Sequence, residues 1–317
     1  MTLLHLHPLW NATGEWHALF ALCPREQQAW LAERLQASPS LHDLPCYLPG
    51  AAADLPPLQP VVLRGQYWQG CDALICAGFE APGFLATLPA GSLTYGPGYL
   101  LPAQARAGHP SQPALMQILA LVVADAETHE LEEAFALAPT LTHSLLKLVN
   151  SVGIGSRVDI TSIRHAITVL GRRQLQRWLQ LLLYAEQFGN DGENAALMTG
   201  AALRAKRLEN WAQQGWLSQP ADSAFLVGML SLLDRLFGQP LAELLGELPL
   251  PPALRQALLA QEGELGRALH CVITLESGKA TELPSPRITP RSWLESEISA
   301  FDWARQIQAY RGNDRAE

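Results

Sequence analysis

From Ala114 almost to the C-terminus, apolar residues recur at the three-to-four-residue spacing of helices that bury one face; ahead of the Pro/Gly-rich segment Leu101 to Pro113, only Pro24 to Gln36 does so. The chain is therefore read as two parts of different texture. In the second part, Leu115, Ile118, Leu119 and Val122 mark one helix, and Leu131, Phe135 and Leu137 a second that Pro139 closes. Thr140 and Thr161 are candidate caps for the next two. Ile163, Ala166, Ile167 and Leu170 face inward before Gly171, and Leu175, Trp178, Leu179 and Leu182 after it. Further helical patterns cover 194–214, 221–237, 241–245, 252–259, 265–275 and 293–310, so residues 111–317 are expected to be an all-α domain.

The first part reads differently. Leu3 to Trp10 and Glu15 to Leu22 are apolar runs separated by Asn11-Ala12-Thr13-Gly14, the chemistry of a hairpin turn. Strand-like pieces recur at Val61 to Leu63, Asp72 to Gly78 and Leu93 to Gly96, so residues 1–110 are expected to be a small α/β domain ending in a linker.

Hydrophobic residues make up 48% of the 317 and charged residues 16%, a globular composition for which disorder is not the default reading. The net charge of −8 has no basic block, which argues against nucleic-acid binding by bulk electrostatics. Cys23, Cys46, Cys71, Cys76 and Cys271 have neither a CxxC pair nor regular spacing, so a reduced, cytoplasmic chain is expected, without disulfides or a zinc ribbon. No signal peptide or spanning segment is evident, and no membrane association is expected.

One helical run ends oddly. In LLKLVNSVGIG the apolar spacing is interrupted by Asn150 and Ser151 before Gly153 and Gly155. In one reading the polar pair closes the helix, with Gly153 left-handed. In another, Asn150 bonds the loop Ser156 to Ile160 and fixes the core geometry. Both are structural; a serine nucleophile would need a positioned base, and none is evident.

LLKLVNSVGIG together with ITSIRHAITVLGRRQLQRWLQLLL, which carries Ser162, Arg164 and Gly171, resembles the HDOD domain, the HD-related output domain of bacterial signalling proteins. FLVGMLSLLDRLFGQPLAELLGELPLPPALRQALL resembles its continuation, and the resemblance covers Ala114 to Tyr310. It implies kinship with HD phosphohydrolases, in which a helix-borne His-Asp dipeptide and outlying His and Asp residues hold metal ions. Here Ser231-Leu232 stands where that dipeptide would be, and Met198 to Ala205 offers no histidine or acid. Asp222 and Asp234 are too few to replace the ligand set. The dipeptide His42-Asp43 and the alternating pair His5 and His7 lack partners at ligand spacing.

HPLWNATGEWHALFAL and LTYGPGYLLP resemble the first hairpin and a late strand of a shrunken EAL domain, with His17-Ala18-Leu19 near its signature. No adjacent acids accompany them, so cyclic-di-GMP hydrolysis is not expected.

The expectation is a regulator without enzymatic activity or cofactor, whose partners are signalling proteins. Its interaction surface would be built from Tyr95, Tyr99, Arg173, Arg177 and Trp178 where the two parts meet. The alternatives are a divergent metal-dependent phosphohydrolase or a nucleotide- or nucleic-acid-binding regulator. The latter would use Arg164, Arg172, Arg173 and Arg177 in a helix-turn-helix, against which stand the many leucines of its second helix. Trp211, Trp216, Trp293 and Trp303 are read as anchors between helices, and His143, His165 and His270 as isolated.

Overall fold

A computed structural model describes residues 3–50, 55–77, 88–96, 112–151, 160–186, 192–278, 283 and 285–312. Strands β1 (His5–Trp10) and β2 (Trp16–Leu22) form the hairpin, in register from His5 opposite Leu22 to Leu9 opposite Ala18, with the register shifting at a bulge before Trp10 opposite Trp16. The turn is set by Asn11, whose Oδ1 accepts the backbone N–H of Thr13 at 3.0 Å and of Glu15 at 2.8 Å, while Gly14 supplies φ 71°. Helix α1 (Gln28–Ala37) then carries the chain over to β3 (Cys46–Pro49), which pairs parallel with β2. Strands β4 (Leu58–Arg64), β5 (Tyr67–Gln69), β6 (Leu74–Ala77) and β7 (Ser92–Tyr95) follow.

These strands close on themselves. The order is β1-β2-β3-β4-β5-β6-β7, and Trp10 of β1 pairs with Thr94 of β7 to complete a barrel. The expected small α/β domain of EAL type is therefore corrected: residues 5–95 wind seven strands into a closed barrel in which α1 is one crossover connection. Because successive side chains alternate, one face of the strands fills the interior with Leu9, Ala18, Phe20, Tyr47, Val61, Ala73 and Ile75. The other face, with Leu6, Trp10, Trp16, Leu19, Cys46 and Leu48, joins the core of the helical region. Strands buried on both faces read as continuous apolar runs instead of alternating ones.

The helical region runs through α2 (Gln112–Val123), α3 (Thr128–Ala136), α4 (Pro139–Ser151), α5 (Ile163–Glu186), α6 (Gly192–Gln213) and α7 (Ala221–Leu230). It continues through α8 (Leu233–Phe237), α9 (Leu241–Gly246), α10 (Pro252–Ala260), α11 (Gly263–Glu276) and α12 (Pro290–Gly312). The chain as a whole is thus a barrel followed by helices. Gly171, at φ 75° and ψ 160°, breaks α5 into two helical segments. The helix expected over 221–237 is also two, because Leu232 takes φ −122° and ψ 14° between α7 and α8.

The last helix returns to the first strands. Trp293 donates its indole N–H to the Leu4 carbonyl at 2.8 Å, Arg305 donates to the Trp16 carbonyl at 2.8 Å, and Phe301 meets the Trp16 ring edge-on at 5.8 Å. Asp302 accepts the hydroxyl of Ser38 and the backbone N–H of Ser40, the latter at 2.9 Å. The N-terminal barrel and the C-terminal helix therefore share one core.

Candidate functional site

Helix α6 is apolar on every side: Ala196, Ala201, Ala202, Ala205, Leu203, Leu208 and Trp211 are all buried. Such a helix is packed all round, and its charged residues are buried with it, so each must be paired. Arg204 reaches Glu276 of α11 through Nε and Nη2, at 2.9 and 2.8 Å, and donates through Nη1 to the Ser231 hydroxyl at 3.0 Å. Ser231 donates to the Gly228 carbonyl at 2.7 Å. Arg207 holds Glu297 of α12 in the same two-pronged way, at 2.9 and 2.6 Å, with its guanidinium over the Phe301 ring. Asn210 donates to the Ser296 carbonyl at 3.0 Å. Glu209 is shared by Lys206, at 2.7 Å, and Arg177 of α5, which also donates to Asp222 of α7 at 3.0 Å.

Arg204 thus stands beside the position that the HD resemblance assigns to the dipeptide. Ser231 is tied to Arg204 and Gly228, and Leu232 is 2% exposed. The α6–α7 approach is close there: a Cβ on Gly228 would lie 2.4 Å from the Ala205 Cα. Asp222 is held by Arg177 and Arg173, and Asp234 by Arg235. A guanidinium at this place repels a divalent cation, so these residues do not fit a metal. Among the described residues no three His, Cys, Asp or Glu side chains come together in a way that could hold one. His42 contacts Asp43 at 3.1 Å on the surface, with its other ring nitrogen on the Ser38 carbonyl.

His5 and His7 sit on β1. Burial pushes the His5 pKa down; the charge of Glu297 raises it in part, and Arg207 lowers it slightly further. His7 is driven down to about 3, first by burial and then by Arg207 and His5, so it is neutral at physiological pH. Its ring lies 5.2 Å from that of Tyr95, which stacks on Phe20 at 4.6 Å.

Asn150 makes a paired contact with the chain after α4: its Nδ2 donates to the Ile160 carbonyl and its Oδ1 accepts the Ile160 N–H, both at 2.8 Å. Ser151 ends α4, and Gly153 and Gly155 lie outside the described residues. Ser162, instead of Thr161, caps α5 by accepting the His165 N–H at 3.1 Å. Arg164 grips both oxygens of Glu132, at 2.7 and 2.6 Å, and ties α5 to α3; this bond holds the Glu132 pKa below the usual range. Of the residues expected to share a surface, Trp178 is 3% exposed and Tyr95 belongs to the barrel's aromatic cluster. Arg177 is engaged by Glu209, Arg173 is exposed beside Asp222, and Tyr99 is outside the described residues. In the second segment of α5, Leu175, Trp178, Leu179, Leu181 and Leu182 are buried.

The buried pairs on α6 were not identified from sequence. The signal present was a helix with Arg204, Lys206, Arg207 and Glu209 amid apolar residues on every face. Charge on the buried side of a helix demands partners. Their positions, 276 and 297, could not be read from it.

The HDOD domain profile matches residues 110–239. The chain is 29% identical to an uncharacterized protein, YuxH, of Bacillus subtilis over 173 residues, 53% of this chain and 42% of that protein. It is 30% identical to the cyclic di-GMP phosphodiesterase CdgJ of Vibrio cholerae over 129 residues, 41% of this chain and 29% of that protein. The matches span less than half the length of these curated relatives. A solved structure of a candidate phosphohydrolase from Shewanella amazonensis aligns over 65% of this chain and 94% of its own, with a TM-score of 0.42 and 14% identity. No helix among the described residues is long and apolar enough to cross a membrane. The motifs around Asn150, Ser162 and Gly171 and the profile match coincide, and residues 110–239 of this chain are an HDOD domain.

Proposed function

We propose that the chain is a regulator in bacterial signal transduction that acts through protein–protein contact and carries no phosphohydrolase activity. The observation that carries this reading is the occupation of the Ser231-Leu232 corner by the buried Arg204–Glu276 pair. A phosphohydrolase centre there needs imidazole and carboxylate ligands around a divalent cation. Here a fixed cation, its own carboxylate and a serine hydroxyl satisfy one another. The pair gives α6, α7 and α11 a defined relative position, which suits a domain whose output is its surface.

A second reading, a divergent metal-dependent phosphodiesterase, is favoured by one relative's name, cyclic di-GMP phosphodiesterase, although that match covers 29% of the relative. Hydrolysis of bis(p-nitrophenyl) phosphate by the full chain with manganese, iron or zinc separates the two. The regulatory reading expects no turnover above the metal-only control. Turnover that survives repurification and is lost on chelation would replace it with the second.

A further inference from the structure

We propose that Gly171 is a hinge, about which a module made of α2, α3, α4 and the first segment of α5 turns against the rest of the helical region. The main contacts of α2, α3 and α4 are with one another and with α5, whereas α5 also packs on α6 and α7. The polar ties of α5 divide at Gly171. Ahead of it, Arg164 holds Glu132 of α3 at 2.7 and 2.6 Å, and Asn150 of α4 holds the Ile160 backbone just before the helix. Beyond it, Arg177 holds Glu209 of α6 and, at 3.0 Å, Asp222 of α7, with its guanidinium 5.3 Å from the centre of the Phe225 ring. Arg173 reaches the same Asp222 at 3.5 Å. Residues 163–170 thus belong to one body and 172–186 to the other.

Backbone and surroundings both suit Gly171 to be the joint. Its φ of 75° and ψ of 160° lie where glycine alone is at ease, and glycine enters the helical well as well, so changing the angle of α5 here meets no steric bar. The residue is exposed, and a Cβ built on it would meet no atom of the described residues within 4 Å, so no neighbour locks it. A glycine kept for close packing looks different: at Gly228 the added Cβ runs into backbone at 2.4 Å. A few positions at the ends of elements that absorb a large φ/ψ change are the ordinary construction of a hinge. The bent form also leaves polar atoms unmet just past the joint. Trp178 and Gln180, 3% and 1% exposed, carry an indole N–H and an amide oxygen with no hydrogen-bond partner among the described residues. Burying such groups unpaired costs free energy, a disadvantage of this angle of α5 that a second angle relieves. This inference goes beyond the regulatory reading and does not depend on it.

The test is a distance measurement by double electron–electron resonance on the full chain, with Cys23 and Cys71, the cysteines that are not buried, replaced by serine. Spin labels at Leu137→Cys and Leu259→Cys, exposed positions directly after α3 and on α10, report across the hinge. Labels at Leu137→Cys and Val169→Cys, the latter exposed on the first segment of α5, report within the module. The pair across the hinge is expected to give two distances, or one distribution at least about twice as broad as that of the pair within the module. Gly171→Ala disfavours φ 75° without creating a clash, so it should deplete the bent population and shift the mean distance across the hinge. A distance across the hinge as narrow as the one within the module overturns the proposal, as does a broad distribution that Gly171→Ala leaves unchanged. Should that variant not fold, the two pairs compared in the parent chain decide the matter alone.

Discussion

The indole of Trp293 donates to the backbone carbonyl of Leu4 at 2.8 Å, so the helix at the end of the chain is fastened to the residue that precedes the first strand. Trp293 also stacks with Trp216 and lies 5.7 Å from Trp211 of α6, which places it against barrel and helical domain together. Trp293→Phe keeps most of the packing but leaves the buried Leu4 carbonyl without its donor. The expected cost is about 1–3 kcal/mol, the penalty of one buried unsatisfied group, read as a lower urea midpoint with unchanged slope. An unchanged midpoint would mean that the bond contributes nothing to the joint.

The Arg207–Glu297 pair has side chains 4% and 2% exposed, so solvent does not screen it. Glu297→Leu alone strands a buried guanidinium and should cost about 3–5 kcal/mol, whereas Arg207→Met with Glu297→Leu should return close to the parent stability. Equal losses in the single and double variants, measured in a urea double-mutant cycle, would contradict this account.

His7 gives the chain a defined response to acid. Its folded pKa, about 3, lies below the ordinary value of 6.5, so between these pH values the unfolded chain takes a proton that the folded chain refuses. Its contribution to stability is complete above pH 6.5 and is lost as pH falls, by about 1.4 kcal/mol per unit. Between pH 7 and pH 5 the loss from this residue is about 2 kcal/mol. His5 shifts the same way and adds to it. In His7→Leu the dependence over that interval should be shallower by that amount, and equal slopes would show that the ring is not buried neutral.

Gly228 lets α7 lie against α6. With a Cβ 2.4 Å from the Ala205 Cα, even Gly228→Ala must push the helices apart, at an expected cost of about 1–3 kcal/mol despite the better helix propensity of alanine. A variant as stable as the parent in thermal unfolding would mean that the helices have room to separate.

The parts of this fold legible in sequence are those with local causes. The hairpin was readable because Asn11 and Gly14 write its turn within four residues of chain. The helical region was readable from its period. The barrel was not, because closure rests on Trp10 meeting Thr94, a pairing between distant strands that no local pattern encodes. The break at Leu232 was hidden inside the stretch from Phe225 to Leu233, apolar but for Gly228 and Ser231. At the site, Ser231-Leu232 was legible where the resemblance would put a His-Asp dipeptide, but the pair beside it was not, since Glu276 approaches Arg204 from α11. Trp178 is buried, and the sequence could not show by what: an amphipathic period marks a buried face without saying which neighbour covers it.

The most direct test of the regulatory reading is elemental analysis of the purified full chain after incubation with manganese, iron and zinc and removal of free metal. With Arg204 and Glu276 paired at the Ser231-Leu232 corner, the account predicts no stoichiometric metal in any sample. One or two equivalents retained, and lost when Asp222 or Asp234 is replaced by alanine, would contradict it and return the chain to the metal-dependent phosphohydrolases.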